Sequence, residues 1–524
     1  MQHQKLPFKD TKIFSPFFLD YISEKDSLKQ FYGRFPTISA FQDQIKEKEK
    51  NFPATSRQIL KEVLTAQYVS LTITEKVSRN IEALGDKKTF TITTGHQLNI
   101  FTGPLYFIYK IVSVVNACKA LSDAYPDYHF VPVYWMASED HDFEEISYFK
   151  FNGTKYTWKT DQKGGVGRFD PRSLKEIIKE LPGDVSIFEK AYGRHEKLSD
   201  AVRYYVNQLF GEQGLVVIDA DNTRLKSLFK VVIKDDLFNH SAKQAVETTN
   251  AALSKAGYST QVFARDINFF YLDNQVRERF ELIGDRFTVL DSEVSFSNEE
   301  IERLVESEPE KFSPNVILRP LYQEMILPNL AYFGGPAEVI YWLQLKGVFE
   351  HYKVTFPILM PRNFALVMDG PVARKFEKTG LSLIDLFEEK NYLFNDWVLK
   401  NTHHNLTLTK ELNTVKALFT DIKLRAIEID KTLDQLVAAE GQKAQNSFEK
   451  IERKLLRAEK RLHTDKLRQI GEVKEALFPA GGLQERSDNF LNFYQSDPDF
   501  INKLLLSFDP FDFQFNVLSY PYNS

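Results

Sequence analysis

The stretch from Thr89 to Glu145 constrains this chain most, because it reads as strand, glycine loop, helix, strand and acidic loop. Thr89-Phe90-Thr91-Ile92-Thr93 is short, β-branched and aromatic, the composition of a buried strand. It runs into Thr94-Gly95-His96-Gln97-Leu98-Asn99-Ile100-Phe101-Thr102-Gly103-Pro104. Pro104 suits the first position of a helix, where its missing N–H costs nothing. A mostly apolar helix is expected from Leu105 to about Leu121, and Phe130 to Ala137 returns as a second strand. That strand ends in Ser138-Glu139-Asp140-His141-Asp142-Phe143-Glu144-Glu145. Parallel strands joined by a helix put both post-strand loops at one edge of the sheet, where such folds bind ligands. A helix N-terminus and a cluster of five carboxylates around one imidazole are therefore expected to face one cleft.

Carboxylates this dense repel unless a cation sits among them. A divalent metal, a substrate amine, or the chain's own Arg and Lys all answer that need. His141 can take a proton from an attacking amine, with Glu139, Asp140 and Asp142 as the other catalytic candidates. Cys118 is the one cysteine, so any metal would rest on nitrogen and oxygen ligands, and none is assigned. Cys118 itself reads as a small core residue. Lys110 lies in a helix that is apolar on most sides, so it needs a partner. An anionic substrate group near the helix N-terminus and a structural salt bridge both qualify. Gly95, His96, Gln97 and Gly103 belong to the same loop, and Thr102 either joins them or caps the helix. Gly164-Gly165-Val166-Gly167-Arg168 fits neither the Walker pattern nor the dinucleotide fingerprint and reads as a flexible turn.

The remaining chain sorts by texture. Residues 1–53 are aromatic and irregular, with a solvated charge run at Lys46-Glu47-Lys48-Glu49-Lys50. Helices are expected near 56–70, 74–84, 199–211 and 223–256, and a hairpin turning at Asn152-Gly153. Leu215 to Ile218 reads as a third parallel strand, its Asp219 and Asp221 either ligand-facing or capping. Leu330 to Phe333 precedes Gly334-Gly335-Pro336, a second helix start that repeats the pairing at Gly103-Pro104. Beyond about Leu381 a heptad seam runs from Leu408 to Leu436, and after Gly441 it restarts from Ala444 to Leu462. This implies an antiparallel coiled-coil hairpin about 45 Å long at 1.5 Å per residue. Leu418, Leu424, Ile427, Val437 and Leu456 fall outside that seam and make a homodimer the expected state. The net charge of −5 supplies no basic field for nucleic acid, and no apolar run reaches membrane-spanning length. With no signal-peptide pattern at the start, a cytoplasmic location is expected.

Gly95-His96-Gln97, Thr102-Gly103-Pro104-Leu105-Tyr106 and Glu139-Asp140-His141-Asp142-Phe143 resemble signatures of the bacillithiol biosynthesis cysteine-adding enzymes, the BshC family. Leu318-Arg319-Pro320, Gly334-Gly335-Pro336-Ala337-Glu338 with Tyr341-Trp342, and Leu483-Gln484-Glu485-Arg486 extend the resemblance over most of the chain. It implies an α/β fold: a Rossmann-like parallel-sheet core with inserted segments over 1–390, a coiled-coil hairpin over 391–480, and a C-terminal segment packing back on the core. It also implies a ligase that adds cysteine to glucosaminyl malate, with Arg319, Glu338 and Arg362 joining the substrate-binding set. An arginine there suits a dicarboxylate. Amide formation in water needs an activated acyl group, so a nucleotide (ATP or ADP) is expected although no nucleotide motif is present. Two alternatives stay open: a nucleotidyl-transfer enzyme using the same cleft, and a scaffold whose coiled coil is the working part.

Overall fold

The computed structural model describes residues 1–521, in two compact units. One comprises residues 3–366 and 484–518, the other residues 367–483. The first is built on β1 (Thr89–His96), β2 (His129–Met136), β3 (Val216–Asp219), β4 (Asn329–Gly334) and β5 (Ile358–Pro361). All five strands are parallel, in the order β5-β4-β1-β2-β3. The chain therefore builds outward from β1 to one side, then returns to add β4 and β5 on the other. Between β1 and β4 lies the switch point at which open parallel sheets bind ligands.

Every residue of β1 is buried, as expected where both faces of a parallel sheet are covered. Phe90 and Ile92 pack with Phe130, Leu330, Phe333 and Met360 against Val114, Ala117, Cys118 and Leu121 of α1 (Tyr106–Ala124). Burial lifts the Cys118 thiol well above its usual range. The threonines of β1 are satisfied in the sheet: Thr91 and Thr93 donate to Asn329 Oδ1, and Thr94 to the Phe333 carbonyl. Asn329 in turn donates to Glu324, which lies 3.0 Å from Lys48. The charge run at 46–50 is thus not wholly solvated. It lies on a helix, Ala40–Asn51, and the spacing that carries Phe41 and Ile45 inward takes Lys48 with them.

The hairpin forms as expected, Tyr148–Phe151 pairing with Thr154–Thr157. Asn152 and Gly153 both have positive φ, 47° and 76°, which a two-residue turn of this hand requires. Between β3 and β4 the chain inserts a five-stranded antiparallel sheet from Phe269–Asp273, Val276–Ile283, Arg286–Val289, Ser295–Phe296 and Phe312–Pro314. The glycine loop at 164–167 is no flexible turn. All four residues are buried, and a Cβ on Gly167 would stand 2.5 Å from Ser138 Cβ. It braces the acidic loop from behind. In the tail, Phe508 and Phe515 are buried, while Phe511 and Phe513 pack against the main core.

Helix α1 starts two residues later than Pro104 allows. Ile100–Thr102 form a tight turn in which Phe101 and Thr102 have φ of 52° and 70°, so Thr102 cannot cap. The N-cap is Leu105, whose N–H donates to the Asp488 carbonyl at 2.7 Å.

The second unit holds the hairpin of α4 (Thr409–Ile429) and α5 (Leu433–Leu462). Its turn lies at 430–432, not beyond Gly441, because the Asp430 carboxylate accepts from the Thr432 N–H and breaks the helix. The expected 45 Å reach falls to about 32 Å for the 21-residue α4 at 1.5 Å per residue. Gly441 sits inside α5, where an added Cβ would stand 3.1 Å from the Phe419 ring. The move shifts the seam: Ile427, Val437 and Leu456 turn inward, while Ile429, Leu436, Ile451, Leu455 and Leu462 are exposed. Leu456 packs against a small core of Leu393, Trp397, Val398, Leu406, Leu467 and Ile470. No helix among the described residues is long and apolar enough to cross a membrane.

Candidate active site

At the switch point the loops after β1, β2 and β4 enclose a cavity of about 410 Å³. Its floor is an ion pair. Lys110, reaching back from α1, places Nζ 2.7 Å from Glu338 Oε2 and 2.8 Å from the Gly95 carbonyl. Both readings of Lys110 were open, and its position answers the need for a partner from within the chain. Burial lowers the affinity of the Lys110 ammonium for its proton, and Glu338 opposes that fall. Glu338 belongs to α3 (Pro336–Leu343), whose first residue is the proline, as expected. Its carboxylate accepts from the Gly335 N–H at 2.7 Å and from the Tyr332 hydroxyl at 2.9 Å. Burial raises the Glu338 carboxyl, but Lys110 and these donors outweigh it and hold the group below its usual range.

The two expected arginines differ. Arg362 is buried with its fork on the Glu485 carboxylate, so it is not free to bind a dicarboxylate that way; its Nε alone has no partner. Arg319 lies in a ring of aromatics, 5.7–5.9 Å from the centroids of Trp135, Tyr332 and Trp342. It donates to Gln323 Oε1 at 3.3 Å, and no carboxylate among the described residues pairs with it. His96 is buried against Phe107 and Tyr106, with ring centroids at 5.0 and 5.2 Å. Burial, then Lys110 and Arg362, push its protonation well below the usual range, so it stands in the wall as a neutral ring.

The acidic loop is answered largely by the chain's own cations. Glu139 lies 2.8 Å from Lys226, and Asp140 3.2 Å from Arg277 and 2.7 Å from Gln97 Nε2. Burial would raise the Asp140 carboxyl, but the charge of Arg277 and the bonds donated by Gln97 and the His141 backbone N–H hold it well below the carboxylate range. Asp142 caps α2 (Phe143–Ile146) by accepting from the Glu145 N–H. Behind them Asp219 accepts from Ser138, and Asp221 lies 2.7 Å from Arg168. His141 is 45% exposed and stands beside the cavity wall rather than in it. Its Nδ1 is 2.7 Å from Arg277 Nη1 and 3.4 Å from Asp140 Oδ1. Since guanidinium can only donate, the shorter contact gives Nδ1 the acceptor role. No group of three potential metal ligands among His, Cys, Asp and Glu gathers among the described residues.

The cavity brings together Gly95, His96, Gln97, Lys110, Glu139, Asp140, Arg319, Glu338 and Arg362. It leaves out His141, Asp142, Thr102 and Gly103. The Gly103 loop is tied instead to Asn489, whose Nδ2 donates to the carbonyls of Phe101 and Gly103 at 2.7 and 2.6 Å. The expected anion site at that helix N-terminus is not formed, because Leu105 and Phe107 spend their N–H groups on carbonyls of the chain. The wall also includes Tyr106, Trp135, Glu145, Arg277, Tyr341 and Arg486, none of them chosen from the sequence as site residues. Glu145 at least stood in the acidic run. Arg277 comes from the inserted sheet and carried no signal, being 137 positions from Asp140.

The arrangement coincides with a known family. Residues 1–363 match the model described as "Bacillithiol biosynthesis BshC, N-terminal Rossmann-like domain", and residues 365–520 its "C-terminal coiled-coil domain". The chain belongs to the BshC family. Curated relatives named "Putative cysteine ligase BshC" include those of Christiangramia forsetii, at 41% identity, and Flavobacterium psychrophilum, at 40%. Each alignment covers 98% of this chain, and 98% and 99% of the respective relative. The relative from Cytophaga hutchinsonii is 40% identical over 99% of both chains. BshC membership accounts for both halves of the architecture: the Rossmann-like sheet that carries the cavity and the helical hairpin of the second unit.

Proposed function

We propose that this chain is a cysteine ligase of bacillithiol biosynthesis, forming the amide between the cysteine carboxyl group and the amine of glucosaminyl malate in the cavity at the β1–β4 switch point. The observation that carries the reading is Arg319. Lys110, Lys226, Arg277 and Arg362 each form an ion pair with a carboxylate of the chain, whereas Arg319 forms none among the described residues. It has Glu338, already paired with Lys110, only as a more distant charge. A ligand carboxylate would give this cation the close ion-pair partner that the chain does not supply. Both proposed substrates carry carboxylates, and Arg486, exposed on the cavity wall, offers a second point of attachment. The rings of Trp135, Tyr332 and Trp342 stand around Arg319, which lies in the cavity wall. Asp140 and Glu338 are held ionised by their donors and by Arg277 and Lys110.

The activation of the acyl group is expected to come from a nucleoside triphosphate. A triphosphate cradle needs consecutive free N–H groups at a glycine loop. Here the Gly335 N–H on the cavity wall is taken by Glu338. No step is therefore routed through a nucleotide in this cavity. The reading includes a cytoplasmic homodimer joined through α4 and α5, supported by the exposed Leu418, Leu424, Ile451 and Leu455 of that hairpin.

The test is to incubate the full chain with cysteine, glucosaminyl malate and ATP and to follow products by mass. An amide product is expected, with Arg319→Met raising KM for one carboxylate substrate at least tenfold and Arg319→Lys recovering part of it. Nucleotidyl-linked species alone, or no product, would overturn the reading.

A further inference from the structure

Four carboxylates stand on the cavity wall, and three are already held. Glu139 faces Lys226, Asp140 faces Arg277 and Gln97, and Glu338 faces Lys110, Tyr332 and the Gly335 N–H. Glu145 is the fourth. Its backbone carbonyl accepts from Asn99, but no cation or donor among the described residues holds its carboxylate. It is also exposed on the wall, on α2 directly after the acidic loop.

We propose that Glu145 is a catalytic residue, whose carboxylate receives the substrate ammonium and takes its proton. The proposal rests on the amide-forming reading above and names the group that frees the nucleophile. The step balances by itself: an N–H bond of the ammonium breaks, its electron pair stays on nitrogen, and the proton forms an O–H bond on Glu145. The resulting neutral amine has the lone pair that attack on an acyl carbon requires. Neither Asp140 nor Glu338 can serve as well, because each would have to give up the donors that keep it ionised. The charged and titratable groups that face Glu145 are Asp140 and Asp142 from its own loop, Lys110 and Tyr106 from α1, and Glu338 from α3. Partial desolvation of this otherwise exposed group by the cavity wall, followed by repulsion from Asp140 and Asp142, lifts its carboxyl above the usual range, against the pull of Lys110. A carboxylate lifted in this way is the stronger base.

Two measurements on the full chain decide it. In turnover, Glu145→Gln should lower kcat at least 100-fold with little change in KM for cysteine, and should erase the acid limb of the pH–rate profile; Glu145→Asp should restore part of both. A variant that folds and keeps the wild-type rate and profile would overturn the proposal. The second measurement needs no turnover. The ¹³C carboxyl resonance of Glu145 should titrate above an ordinary glutamate and shift on adding glucosaminyl malate, but not its N-acetylated form, which lacks the basic amine. A resonance indifferent to the free amine would overturn the proposal even if the ligase reading stands. A response to the amine without any amide product would retain Glu145 as the ammonium acceptor and remove the ligase reading alone.

Discussion

The chain uses Gly-Pro twice before a helix of its central sheet, and the two copies do opposite things. At Gly335-Pro336 the proline opens α3 at once, and Glu338 turns back onto the Gly335 N–H at the cavity. At Gly103-Pro104 the helix waits until Tyr106, and the loop faces Asn489 and Asp488 instead. Backbone angles separate them: Gly103 has φ 62° and ψ −137°, a region essentially closed to side chains, whereas Gly335, at −70° and 172°, is ordinary extended chain. The lesson is that a helix-start dipeptide states where a helix can begin, while its binding capacity depends on which groups have already claimed the free N–H groups.

The largest effect expected from this contrast is steric. A Cβ on Gly103 would fall 2.4 Å from Asn99 Cβ, whereas one on Gly335 meets only the end of the Glu338 side chain at 3.4 Å. Gly103→Ala should cost about 3 kcal/mol or more, from strain and overpacking together. Gly335→Ala should stay within about 0.5 kcal/mol. Denaturant midpoints for the two variants measure this. Equal losses would mean that the loops are equivalent after all.

A smaller effect is expected beneath the second loop. Lys110→Met removes the cation from Glu338 while keeping the length of the side chain. Glu338 retains 28% side-chain exposure and can recover some hydration, so the loss should be about 2–3 kcal/mol, the lower side of a broken buried pair. The double variant with Glu338→Gln should recover part of it. If Lys110→Met leaves the midpoint unchanged but weakens binding of the anionic substrate, Lys110 serves the ligand more than the fold.

These loops also show how far the residues alone can be read. The sheet was legible because its strands are continuous β-branched and aromatic runs, and Pro336 was legible because its own helix satisfies it. Thr102 and Gly103 were misread because their partner, Asn489, lies nearly four hundred positions away, where no local pattern could point to it. Arg277 was missed for the same reason. The acidic run was seen, but its division into Glu139, Asp140 and Asp142 with partners and Glu145 without depends on Lys226 and Arg277 arriving from other elements. In the hairpin the heptad count ran through 430–432 because the apolar spacing does not register an Asp side chain binding the backbone two residues on.

The subtlest effect is one of pH, and it should carry opposite signs in the two loops. Glu338, which closes the second loop, has its folded-state carboxyl lowered. Its contribution is therefore complete above the unfolded glutamate value, about 4.3, and is lost as pH falls through the lower folded value. The first loop takes its backbone acceptor from Asp488, whose own carboxyl is pushed up to about 6 by burial. A raised carboxyl works in the other direction: its contribution is present at low pH and is lost as pH rises from the unfolded aspartate value, about 3.9, through about 6. Hydrogen-exchange protection factors, corrected for intrinsic rates, should therefore fall for the Gly335 amide below about pH 4. Those for the Leu105 amide should hold below about pH 4, decline between about pH 4 and 6, and level off above. Asp488→Asn should flatten the Leu105 trend and leave Gly335 untouched. If both amides instead lose protection together as acid is added, the two loops open as one unit, and the contrast drawn from their backbone angles does not extend to their stability.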